Sequence, residues 1–289
     1  MSRVLSPGVP RLLGVVNLTS DSFSDGGRFL APADALRQAL ALVEAGAARI
    51  DLGAQSTHPD AQRVGAAEEL QRLTPVLVDL VAARVEVSVD TYEPQVMERA
   101  LELGACCIND VTALRDERAV RVVAASPCEL ILMHSTSREG LAQRHAPSES
   151  DWIERIARFF EQRLAALERS GVSRERVVID PGLGLFLSSD AEASFDVLRR
   201  IARLRERLAL PICVAPSRKS FLGAALGRAP SERGPATLAA ELWCAAQGVD
   251  WIRTHDVRAT ADALATWRAL EGDARSPLAI PTATERGST

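Results

Sequence analysis

VVIDPGLGLFLSS, residues 177–189, decides how the rest of the chain is read. The β-branched run Val177, Val178, Ile179 stops abruptly on Asp180. A Pro-Gly turn follows, then an apolar loop. A short, continuous apolar run bounded by turn residues reads as a fully buried strand. The carboxylate at its end is costly to bury without a partner, so a neighbouring loop or a ligand must satisfy it. What matters next is whether other strands end the same way.

Working outward, apolar strand runs fall at 12–16, 49–52, 86–89, 105–108, 129–133, 177–179, 212–215 and 250–253. Helical periodicity separates them, at 31–46, 66–83, 94–103, 116–125, 148–170, 191–208, 233–248 and 257–270. Eight alternating strand and helix units predict an α/β fold, a single-domain (β/α)8 TIM barrel over 12–271. A doubly wound sheet is the alternative, and the regularity of eight units favours closure. Residues 1–11 read as a loose tail. Residues 272–289, polar with two prolines, read as a disordered one.

Bulk properties narrow the function classes. The 289 residues are 47% hydrophobic and 25% charged, with net charge −4. That composition suits an ordinary globular protein and gives no nucleic-acid or membrane-surface footprint. The five cysteines are odd in number and form no CxxC pair. They read as reduced core residues of a cytoplasmic protein. No signal peptide or bilayer-spanning run is evident, and the four histidines form no zinc pattern.

In a TIM barrel the site gathers where the strands end. Those ends read Asn17, Ser56-Thr57, Asp90, Asn109, His134, Asp180, Ser217-Arg218-Lys219 and Arg253/His255. A single polar strand end is often only a turn former, but eight converging on one mouth form a pattern. Asp90, Asn109 and Asp180 offer acceptors and an amide. Lys219, Arg218, Arg253 and His255 offer positive charge, and Arg63 could join them. A ligand with a planar, donor-rich heterocycle at one end and a polyanion at the other fits both sets. The guanidine-like edge of a pterin pairs bidentately with a carboxylate, and a diphosphate, with a hard cation such as Mg²⁺, fits the basic side.

Eight motifs in barrel order then resemble those of the dihydropteroate synthases. They are GVVNLTSDSFSDGG (14–27), DLGAQSTHPDA (51–61), VSVDTYEP (87–94), GACCINDVTA (104–113), LMH (132–134), IDPGLG (179–184), SRKSFLG (217–223) and RTHDV (253–257). The resemblance implies that p-aminobenzoate attacks the methylene of 6-hydroxymethyl-7,8-dihydropterin diphosphate. Pyrophosphate leaves first, by an SN1-like path through a pterin cation, and 7,8-dihydropteroate is formed. It assigns Asp90, Asn109, Asp180 and Lys219 to the pterin and Asn17 to Mg²⁺. Arg253 and His255 fall to the leaving pyrophosphate. Thr57, Pro59, Ser217 and the first loop with Phe23 frame p-aminobenzoate, and Met133 and Arg218 complete the substrate contacts. No protein nucleophile is needed. The family forms homodimers, commonly through the late helices.

Departures from the common pattern point to a branch. His58 stands where an anion-contacting Arg is usual, and Ser-Thr-Ser follows His134. The loop after Gly184 is two residues longer and lacks the usual lysine. With HPDA, MHS, FLS and GPATLAAEL, it resembles the sulfonamide-resistant, Sul-type synthases. Phe186 is the residue expected to narrow the p-aminobenzoate pocket against the bulkier drug. Three alternatives remain: an ordinary drug-sensitive enzyme, a non-catalytic pterin-binding paralogue, and a corrinoid-linked methyltransferase domain, which would not need the basic residues for a diphosphate.

Overall fold

The structure is a computed structural model describing residues 8–19, 31–61, 63–137, 140–144 and 151–271. Of the expected tails, residues 1–7 and 272–289 lie outside the described residues, as does Phe23; Arg11, at the end of the expected 1–11 tail, already belongs to the first strand. Eight strands occur: β1 Arg11–Asn17, β2 Arg49–Gly53, β3 Val87–Asp90, β4 Cys107–Asp110, β5 Glu129–Met133, β6 Val177–Asp180, β7 Cys213–Val214 and β8 Trp251–Thr254. All pair in parallel in the order β6-β5-β4-β3-β2-β1-β8-β7. A bridge between Ile179 and Ile212 joins the two ends, so the sheet is a barrel and not doubly wound. That seam is thin for a local reason. Pro211 has no N–H to give, and the Ile212 N–H is taken by the Asp250 carboxylate at 2.8 Å. Across it, Ile179 N donates to Pro211 O at 2.9 Å.

Strand alternation sorts the side chains into two layers. Ile50, Leu52, Val87, Val89, Ile108, Leu130, Leu132, Val177 and Ile179 belong to the large core shared with the helices. Leu13, Cys107, Ile131, Val178, Cys213 and Trp251, of opposite parity, form a separate cluster that fills the barrel. Where the strands begin, Arg49 bonds Glu129 at 2.8 Å and Glu86 at 3.1 Å. Arg11 and Arg49 also lie over the Trp251 ring, closing that end with charge pairs and cation–π contacts.

The described helices are α1 Pro32–Glu44, α2 Ala66–Ala82, α3 Pro94–Glu102, α4 Glu117–Ala124, α5 Trp152–Arg169, α6 Ala191–Arg199, α7 Ile201–Leu208, α8 Ser220–Leu226, α9 Gly234–Ala246 and α10 Val257–Glu271. Two departures from the sequence reading matter. The single helix expected over 191–208 breaks at Arg200, whose guanidinium ties Asp196 of α6 to Asp151, the N-cap of α5. The stretch after Lys219, to which no helix was assigned, forms α8, which ends at Gly227 in the left-handed conformation that glycine tolerates best (φ +64°). Cys106 is half-buried, the other four cysteines are buried, and all five are free. No described helix is long and apolar enough to cross a membrane.

Candidate active site

The strand ends open into a cavity of about 530 Å³. Its lining includes Asn17, Thr57, Pro59, Asp90, Phe186, Ser217, Arg218, Lys219, Arg253 and His255. Register does much of the positioning. Asp90 sits opposite Gly53 on one side and Asn109 on the other, and Met133 sits opposite Asp180. Asp90 and Asn109, from two separate stretches, thus become lateral neighbours, and Asp180 ends its strand beside Met133.

The DPG turn fixes Asp180. Its Oδ1 accepts the Gly182 N–H at 2.8 Å. Gly182 has φ +73°, and a Cβ there would lie 2.2 Å from the His134 carbonyl oxygen, so only glycine fits. His134 is the turn's other support. Its backbone N–H bonds Asp180 O at 2.8 Å. Its Nδ1 lies 3.2 Å from the Pro181 carbonyl, which can only accept. Burial pushes the His134 imidazole down to about 3, so it is a neutral structural group.

At the centre lies a charge cluster that includes a residue given no role in the sequence reading. Arg253 Nε donates to Asp51 Oδ2 at 2.6 Å, and its Nη2 donates to Asp90 Oδ2 at 2.8 Å. Asn109 Nδ2 donates to the same Asp51 oxygen at 3.0 Å. Asp51 is wholly buried, and its other oxygen has no protein partner. A carboxylate in the middle of the strand sequence RIDLG was the available signal, because such a group must be paired. Asn109 and Asp180 are almost fully buried and are not among the side chains lining the cavity.

Burial dominates the electrostatics. It pushes Asp90 up to about 7, against the pull of Arg253 and reinforced by Asp51. It likewise raises Asp180, against the Gly182 hydrogen bond and Lys219. It lowers Lys219 to about 8, against Asp180 and Asp90. Burial also opposes the charge of Arg253, but Asp51 and Asp90 outweigh it and hold the guanidinium protonated.

His255 corrects the sequence reading, which counted it as positive. Burial, then Arg253, Arg218 and Lys219, push it down to about 3, so it is neutral. Ser217 Oγ accepts the His255 backbone N–H at 3.4 Å and lies 2.9 Å from Nδ1. With the hydroxyl hydrogen directed to Nδ1, Nε2 keeps its proton and can donate to an anion.

Phe186 ends a single 3-10 turn, Gly184–Phe186, and packs with Val111, Met133 and Ala142. Lys219 Nζ lies 4.9 Å from its ring centroid. Met133 packs in this cluster and is not among the cavity-lining residues. Ser217 bonds His255, whereas Ser220, at the start of α8, also lines the cavity. His58 is half-exposed, with Nδ1 3.7 Å from Asp60 Oδ2, and lines the outer cavity. Arg63 is exposed and not among the lining residues.

A barrel whose mouth joins buried acids to a basic, anion-ready wall is the site of a pterin-binding enzyme, and the family model of that description matches residues 13–255. Within that family the chain belongs to the dihydropteroate synthases, enzymes of folate biosynthesis, among relatives of the Sul type. It is 46% identical to dihydropteroate synthase type-2 of Escherichia coli, covering 91% of this chain and 97% of that one. Identity to the Escherichia coli type-1 enzyme is 42%, covering 84% and 88%. The solved dihydropteroate synthase of Xanthomonas albilineans with 4-aminobenzoic acid superposes with a TM-score of 0.83 at 39% identity, covering 92% of this chain and 94% of that one.

Proposed function

We propose that this dihydropteroate synthase accepts p-aminobenzoate while excluding sulfonamides, and so confers sulfonamide resistance. One observation carries the proposal. Phe186 is packed into the cavity wall that also holds Thr57, Pro59 and Lys219, with Met133, Val111 and Ala142 around it. A ring fixed in that way leaves room for a planar benzoate but not for a sulfonyl group bearing a substituent.

Asp90, Asn109, Asp180 and Lys219 hold the pterin, with the acids accepting its N–H groups. The same carboxylates stabilise the cation that develops as the carbon–oxygen bond to the diphosphate breaks. Arg253 and the Nε2–H of neutral His255 take the departing diphosphate, with Ser217 fixing the imidazole tautomer and Arg218 close by. Thr57, Pro59, Ser217 and Phe23 frame the p-aminobenzoate, and Phe186, backed by Met133, narrows the pocket beside it. The Asn17 carboxamide supplies one hard oxygen on the cavity wall, a donor suited to a Mg²⁺ completed by phosphate and water oxygens. Bound there, Mg²⁺ would offset charge on the leaving group. Two copies associate through the late helices, where Trp243 and Trp267 are exposed, and the enzyme works in the cytoplasm.

The test is pyrophosphate release from dihydropterin diphosphate and p-aminobenzoate, with and without a sulfonamide. Turnover should persist at drug concentrations far above the KM for p-aminobenzoate. Deleting Leu185-Phe186 should restore inhibition. A deletion variant that stays active and insensitive would rule out Phe186 as the discriminator.

A further inference from the structure

A ring excludes a bulky ligand only as firmly as its backbone is held, and here the hold comes from another strand's loop. The carbonyl of Phe186 accepts two hydrogen bonds from Thr136, one from its N–H at 2.9 Å and one from its hydroxyl at 3.0 Å. The same hydroxyl lies 3.3 Å from the Leu187 carbonyl. Gln143 N–H bonds the Leu185 carbonyl at 3.2 Å. Three consecutive carbonyls of the Phe186 turn are therefore met by the segment that follows β5. That segment also grips the loop that follows β2. Ala142 N–H bonds Thr57 O at 2.9 Å, and Arg144 forms a bidentate pair with Asp60, two residues past Thr57-His58.

Resting on the exclusion of sulfonamides by Phe186, we propose that Thr136 is a specificity-determining positioning residue. It touches no reacting atom. Its hydroxyl sets how far the Phe186 turn can be pushed back by a ligand larger than p-aminobenzoate. The substrate does not press on the ring, so substrate binding does not draw on this support. A sulfonamide can be accommodated only by moving the turn and breaking the Thr136 bonds. Removing one such bond corresponds to roughly a tenfold change in an equilibrium constant.

The test compares wild type, Thr136→Val, Thr136→Ser and Phe186→Ala. The readout is the ratio of Ki for an aryl-substituted sulfanilamide to KM for p-aminobenzoate. Thr136→Val keeps the branched shape and removes the hydroxyl, and its ratio should fall roughly tenfold with kcat little changed. Thr136→Ser keeps the hydroxyl and should keep the wild-type ratio. Thr136→Ala reads the same comparison should the Val variant not fold. If wild type is inhibited near the KM of p-aminobenzoate, or Phe186→Ala stays insensitive, exclusion by Phe186 falls and the role of Thr136 falls with it. If Phe186→Ala becomes sensitive while the variants lacking the hydroxyl keep the wild-type ratio, Thr136 alone is overturned. It is also overturned if kcat drops with the ratio unchanged, or if Thr136→Ser behaves like Thr136→Val.

Discussion

Asp51→Asn is the substitution that most directly probes the charge cluster beneath the cavity. The change preserves side-chain shape and removes one charge from a wholly buried site. Asp51 Oδ2 accepts from Arg253 Nε at 2.6 Å and Asn109 Nδ2 at 3.0 Å. In the variant, Arg253 keeps only Asp90 as an anionic partner, and an amide NH₂ is introduced beside existing donors. Uncompensating one member of a buried ion pair costs about 3–5 kcal/mol. For a protein of this size that corresponds to roughly a 10 °C fall in the melting temperature. Loss of Asp51 also removes one of the influences that raise Asp90. The acid limb of kcat/KM should therefore move to lower pH as activity falls. Thermal denaturation and a pH profile on the same preparation read both effects. An Asp51→Asn enzyme with wild-type melting temperature and an unshifted acid limb would refute the coupling of Asp51 to Arg253 and Asp90.

Two further outcomes follow from buried titrating groups. Glu69 of α2 is fully buried, and burial, followed by weaker contributions that include repulsion from Asp90, raises it to about 7 from 4.5. The folded state then holds a proton that the unfolded state releases. This stability is complete below about pH 4.5 and is lost as pH rises to about 7, by about 3 kcal/mol. Glu69→Gln should match wild type in chemical denaturation at pH 4.5 and exceed it at pH 8; equal stability at both would contradict the assignment. In the free enzyme, Asp90 at about 7 and Lys219 at about 8 should bound kcat/KM for the pterin substrate. Activity should rise as Asp90 ionises and fall as Lys219 loses its proton; a flat profile from pH 6 to 9 would exclude both limbs.

Strand count, order and most strand boundaries are legible in the sequence because each apolar run must be buried and most end at a polar residue. The helix break at Arg200 is not, because it coincides with a tertiary tie to Asp151 that periodicity does not encode. α8 was hidden for a related reason: SFLGAAL is too short for its periodicity to stand out, and glycine at its centre argues against a helix. Site residues at strand ends are found by position. Their charge states are not, as His255 shows, since neutrality follows from burial among three cations. Asp51 was missed because the rule looks at strand ends, and this acid acts from within the barrel.

Inhibition of p-aminobenzoate-dependent pyrophosphate release by an aryl-substituted sulfanilamide, measured on wild type and Phe186→Ala side by side, bears most directly on the function assigned to this chain. Wild type should turn over at drug concentrations that stop the variant, with both enzymes showing similar KM values for p-aminobenzoate. Equal inhibition of the two, at drug concentrations near that KM, would contradict it.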